Sequence, residues 1–166
     1  VSNVIRTSLA ALVLSAAGLV GIVSYEGYTD RAITPVKGDK PTNGFGSTGP
    51  DIKLGDKTTP PKALARAMSD IQRDERTLKG CISAPLTQYE YDAYLSLTYN
   101  VGASAFCNST LARKLNARDY RGACDEILRW RFFQGKDCRL DAFLHICGGL
   151  WNRRQAEHAQ CIGERP

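Results

Sequence analysis

From Thr7 to Ser24 the chain reads TSLAALVLSAAGLVGIVS, eighteen residues without a charge, with Arg6 just before the run and Glu26 just after it. As one helix the run would be about 27 Å long, close to the roughly 30 Å of a bilayer hydrocarbon core. Six of its positions are Ala or Gly and four are Ser or Thr, so lipid would hold it weakly. It has no polar face, which argues against burying the entire stretch as one core helix. Cleavage after Ser24 would leave Glu26 almost at a new terminus, which argues against an ordinary export signal. The run therefore predicts an export element that enters the membrane and escapes slowly, ahead of a permanent anchor or a cleaved signal. On that reading residues 1–24 form the membrane segment and 25–166 one folded domain; a second full domain would not fit.

A net charge of +5 and a pI near 8.9 suit a polyanionic partner such as cell wall, anionic lipid or nucleic acid. Six cysteines at wide spacings without a CxxC predict disulfides in an oxidising compartment. The cluster of His145, Cys147, His158 and Cys161, with Cys138 upstream, raises a zinc reading. Its spacing matches no paired ligand motif, so no metal and no cofactor are expected. Proximity in the chain suggests only Cys138 with Cys147.

Residues 27–58 are rich in Gly, Pro, Thr and Asp and read as a hairpin: Thr29 to Val36, a turn through Lys37, Gly38, Asp39 and Lys40, and a return from Thr42 to Ser47. Helical spacing then takes over. A helix starts after Thr59 with Pro60 in its first turn, shows Leu64, Ala67, Met68, Ile71 and Leu78 at helical spacing, and ends at Gly80. Thr87 and Glu90 form a capping box for a second helix that closes at Asn100 and Gly102. Further helices fit Ser109–Leu115, Tyr120–Trp130 and Leu150–Cys161. A small β-rich lobe followed by a helical lobe gives an α+β fold.

Glu26, between the apolar run and the hairpin, is placed to hand a proton to a leaving sugar oxygen if its setting keeps it protonated. Together with Glu26-Gly27-Tyr28, the runs Pro41-Thr42-Asn43-Gly44-Phe45-Gly46, Tyr99-Asn100-Val101-Gly102, Ser109-Thr110-Leu111 and Arg153-Arg154-Gln155-Ala156-Glu157 resemble the phage lysozymes, a family of glycoside hydrolases. The resemblance extends from Glu26 to about Cys161. It implies a lysozyme-like fold with a cleft between the lobes, and an endolysin that hydrolyses the bond between N-acetylmuramic acid and N-acetylglucosamine in peptidoglycan during host lysis. It also implies a monomer with no nucleic-acid partner.

In that family the catalytic Glu is followed by eight residues, an Asp or Cys, five residues and a Thr. Glu26 and Thr42 match the outer members. The middle place falls at Pro35 counting forward and Val36 counting back, so the carboxylate is displaced. Asp39 in the turn is the nearest substitute, against its reading as an ordinary turn residue after glycine; Asp30 is a poorer one. If neither serves, Glu26 acts alone, as in lytic transglycosylases. A non-catalytic wall-binding module and a hole-forming membrane protein are the readings from other classes. By the same resemblance Tyr28, Phe45 and Asn100 line the saccharide cleft, Arg153, Arg154 and Glu157 pack the lobes, and Cys124 pairs with Cys161 and Cys81 with Cys107. The N-terminal run resembles that of signal-arrest-release endolysins: held in the inner membrane through residues 7–24, then freed into the periplasm, where it refolds as a helix against the domain.

Overall fold

The computed structural model describes residues 4–34 and 38–164. A 3-10 turn at Leu9–Ala11 precedes helix α1 (Ala16–Glu26). Three short strands follow, β1 (Thr29–Ile33), β2 (Thr42–Gly44) and β3 (Ser47–Thr48), forming one antiparallel sheet in that order. The rest is helical: α2 (Pro60–Cys81), α3 (Gln88–Val101), α4 (Ala103–Cys107), α5 (Thr110–Asn116), α6 (Tyr120–Ile127) and α7 (Leu144–Cys161). A small hairpin of β4 (Phe132–Phe133) and β5 (Lys136–Asp137) lies between the last two. The expected α+β arrangement, a small β-rich lobe followed by a helical lobe, is thus what the chain adopts.

The helical core is built around α3. Thr87 accepts from the Glu90 amide while the Glu90 carboxylate accepts from the Thr87 amide, the reciprocal cap that the sequence predicts. Every residue from Glu90 to Thr98 is buried, because α2, α4, α7 and α1 enclose the helix on all sides. Ile71 and Leu78 of α2, Phe106 of α4, Leu111 and Leu115 of α5 and Ile127 of α6 complete this core.

The uncharged run is not one helix. Thr7 pairs through its backbone with Leu86, Ser8 caps the 3-10 turn, and residues 12–15 lie outside any helix before Ser15 caps α1. Leu9, Leu12 and Ile22 are buried in the core, although the apolar pattern argues against a core role for the entire stretch. The difference is tertiary: the first half joins the body as extended and 3-10 chain, and only the second half docks as a helix. Among the described residues no helix is long and apolar enough to cross a membrane.

Several boundaries move for local reasons. The hairpin's return is two strands, because Gly44 and Gly46, at φ +60° and +78°, reverse the chain around Phe45. The expected strand end at Val36 and turn start at Lys37 lie outside the described residues. Helix α2 runs one residue past Gly80, and α6 stops at Ile127 instead of Trp130. Helix α7 begins at Leu144 rather than Leu150, with a kink at Cys147. The β4–β5 hairpin, unforeseen in the sequence, turns on Gln134 and Gly135, both at positive φ. All six cysteines are consumed in disulfides, Cys81–Cys107, Cys124–Cys161 and Cys138–Cys147, which leaves no thiolate for zinc.

Candidate active site

Gly27, at φ +69°, ends α1 and makes Glu26 its last residue. A carboxylate at a helix C-terminus meets the negative end of the helix dipole, so its charge needs a partner. That partner is Arg153 of α7, whose Nη1 donates to Glu26 Oε1 at 2.7 Å. Arg153 is itself fixed: Nε donates to Glu157 at 3.0 Å, Nη2 to the Ser96 carbonyl at 3.2 Å, and its guanidinium lies 4.8 Å from the Tyr25 ring centre. The other carboxylate oxygen of Glu26 faces the turn between β2 and β3. A Cβ on Gly46, whose φ is +78°, would stand 3.0 Å from Oε2, tighter than ordinary contact, so glycine suits both the turn and its approach to Glu26.

Tyr99 of α3 ties that turn to the helical lobe by donating to the Phe45 carbonyl at 3.0 Å. Burial, and then the nearby charge of Glu26, push the Tyr99 phenol up to about 12, so it stays a neutral donor. Beside it opens a cleft of about 230 Å³ lined by Glu26, Gly46, Thr48, Asp70, Arg73, Asp74, Tyr99 and Asn100. Asn100 Oδ1 accepts from Arg154 at 3.0 Å, and its amide nitrogen has no protein partner among the described residues, so that group can donate to a ligand. Asp70 is buried, with Oδ1 on Arg73 at 2.9 Å. Burial raises the pKa of Asp74, a carboxylate on the same helix wall. Beneath Glu26, Arg154 is fully buried, its Nε 3.0 Å from Glu157 Oε2, and burial lowers its pKa to about 10. Burial also pushes the Glu157 carboxyl up, against the pull of both arginines.

The phage lysozyme family model matches residues 23–157, which takes in Glu26, the sheet, the cleft and Arg153. The chain belongs to the phage lysozyme family. It is 38% identical over 146 residues to an endolysin of Acyrthosiphon pisum secondary endosymbiont phage 1, covering 88% of this chain and 95% of that protein. It is 37% identical over 114 residues to a SAR-endolysin of Escherichia phage Mu, covering 69% of this chain and 61% of that protein. Among solved structures, an endolysin from Escherichia coli O157:H7 phage FAHEc1 superposes with a TM-score of 0.77 at 29% identity, over 93% of this chain and 96% of that one.

Within this family frame, the residues singled out in the sequence fall into two groups. Glu26 and Asn100 line the cleft together. Phe45 adjoins it through its carbonyl, and its ring packs tilted at 50° against Tyr28 with centroids 5.4 Å apart. Thr42 sits on β2, its hydroxyl donating to the Lys40 carbonyl, and Asp39 stands exposed in the turn; neither lines the cleft. Arg153 is the main residue that sequence reasoning left out, having taken it for lobe packing. The available signal was two arginines with a glutamate at helical spacing, a pattern that an ordinary solvated helix face also shows, so it did not single out Arg153. Tyr99, Asp70 and Asp74 were missed as well, since nothing local marks them. A second groove, lined in part by Trp130, Phe132 and Phe133, adjoins the cleft at Asn100.

Proposed function

We propose that the chain is an endolysin that hydrolyses the bond between N-acetylmuramic acid and N-acetylglucosamine in peptidoglycan, with Glu26 as the proton donor. The observation that carries the reading is Glu26 lining a polar cleft, its carboxylate fixed by the Arg153 guanidinium at 2.7 Å and close to the Gly46 turn. Protonated Glu26 gives its proton to the leaving glycosidic oxygen as the bond to the anomeric carbon breaks, and Arg153 stabilises the carboxylate that remains. Thr42 and Asp39 are proposed to hold the attacking water and the positive sugar, a role that requires the hairpin to approach the bound glycan, since neither residue lines the cleft. Asn100 and the Tyr28–Phe45 pair supply an amide donor and aromatic faces to the saccharide.

The position of Asp39 outside the cleft lining favours a second reading, in which Glu26 alone serves as acid and then base and the sugar's own hydroxyl replaces water. Analysis of the ends released from purified walls separates the two: reducing ends mean hydrolysis, and anhydro ends mean the transglycosylase route.

We also propose that residues 7–24 hold the exported enzyme in the inner membrane before it is released to the periplasm. The weak hydrophobicity of the run and the SAR-endolysin relatives support this.

A further inference from the structure

Residues 12–15, the gap between the 3-10 turn and α1, would satisfy their own backbone groups in an uninterrupted helix. The Leu12 and Val13 carbonyls would accept from the amides of Ala16 and Ala17, and the Ser15 amide would donate to Ala11. In the structure the body of the protein takes over each of these bonds. Lys79 Nζ donates to the Leu12 carbonyl at 2.7 Å, and Gln88 Nε2 to the Val13 carbonyl at 2.8 Å. Asp92 accepts the Ser15 amide at 3.1 Å on Oδ1 and the Ser15 hydroxyl at 2.5 Å on Oδ2, and Gln88 adds a bond to Oδ1 at 2.9 Å.

Asp92 is only 4% exposed, and among the described residues its hydrogen bonds come from Ser15 and Gln88 alone. A buried carboxylate so placed needs the positive N-terminal end of α1 as much as α1 needs a cap. Gly18 makes the approach possible: a Cβ there would stand 2.7 Å from Leu14 Cδ1 and 2.8 Å from Asp92 Cγ. Gly21, one turn on, would meet nothing within 4 Å.

We infer that Lys79, Gln88 and Asp92 form a clasp that fixes the start of α1 and, through this helix, the position of Glu26 at its other end. The inference rests on the reading of Glu26 as the proton donor. The clasp closes on the broken form of the segment, because its bonds to the Leu12 and Val13 carbonyls and the Ser15 amide replace ones that a continuous helix would make internally. Asp92 is a positioning residue: it touches no substrate, and it acts through eleven residues of helix, a rod about 16 Å long.

The test uses the purified full chain, following amide hydrogen exchange together with steady-state release of sugar ends from peptidoglycan. For Asp92→Asn and Asp92→Ala, the α1 amides should exchange about tenfold faster or more, while those of α3 and α7 keep their protection. At the same time kcat should fall on the order of tenfold with KM nearly constant, since a misplaced acid impairs the chemical step rather than binding. Gly18→Ala should reproduce both effects even though alanine is the better helix former, whereas Gly21→Ala should match the wild type. Unchanged α1 exchange in Asp92→Ala and Gly18→Ala would overturn the clasp. So would faster α1 exchange with unaltered kcat, or loss of protection spreading through α3 in both Asp92→Asn and Gly18→Ala. A wild-type chain that releases no sugar ends contradicts the proposed function instead, and the exchange measurement still reads the clasp.

Discussion

Helices α1 and α3 are both rich in apolar residues and lie against each other, yet they are held in opposite ways. In α3 every residue from Glu90 to Thr98 is buried, so its hold on the body is spread along its length. In α1 only Ile22 is fully buried, and the polar grip falls at the two ends: the Asp92 cap at Ser15 and the Arg153 pair at Glu26. A helix gripped along its length belongs to the cooperative core. A helix gripped at its ends can come and go as a unit, and this one carries the candidate acid.

The largest effect that separates the two regions should come from reduction. All three disulfides join parts of the body and none includes the N-terminal segment. Each bridge is worth roughly 2 to 4 kcal/mol, against a typical total stability of about 5 to 15 kcal/mol. Reduced protein should therefore melt far lower by calorimetry, and a melting point unmoved by reduction would mean that the bridges constrain nothing.

Cavity mutations sharpen the contrast. Leu95→Ala in α3 should cost about 2 to 5 kcal/mol of global stability in denaturant unfolding. Ile22→Ala in α1 removes an equally buried side chain, but should show mainly as faster hydrogen exchange in α1 and lost activity, with a smaller shift of the global midpoint. Equal shifts would make α1 part of the same cooperative unit.

Visible in cells rather than in unfolding is the membrane half of the account. Ala16 and Ala17 are exposed and a Cβ at Gly21 would meet nothing within 4 Å, so leucines there should strengthen retention in lipid by several kcal/mol, at about 0.8 kcal/mol per methylene. The triple variant should stay in the membrane fraction and delay lysis. Lysis on the wild-type schedule would sink the release mechanism. The smallest expected effect is at Asp30: Asp39→Asn should reduce end release clearly, and Asp30→Asn little.

Much of this was legible in the sequence where the determinants are local. The Thr87–Glu90 box, Pro60 at a helix start and the ordered motifs from Glu26 to Glu157 all state their structure within a few residues. What escaped was set by partners far along the chain. The break at residues 12–15 depends on Lys79, Gln88 and Asp92, and the role of Arg153 depends on a carboxylate 127 positions away. The split of the hairpin's return follows from the positive φ of Gly44 and Gly46 on either side of Phe45, and that the resulting turn lies beside Glu26 is something no local pattern announces.

The central claim is that Glu26, delivered by a helix held at its ends, supplies the proton that cuts the glycan. The most direct measurement is the release of reducing ends from purified peptidoglycan by the wild type and by Glu26→Gln, with circular dichroism confirming that both are folded. The amide cannot donate that proton, so the rate should fall on the order of 10² to 10⁴-fold while the fold persists. A folded Glu26→Gln protein that still releases reducing ends at a substantial fraction of the wild-type rate would contradict the account.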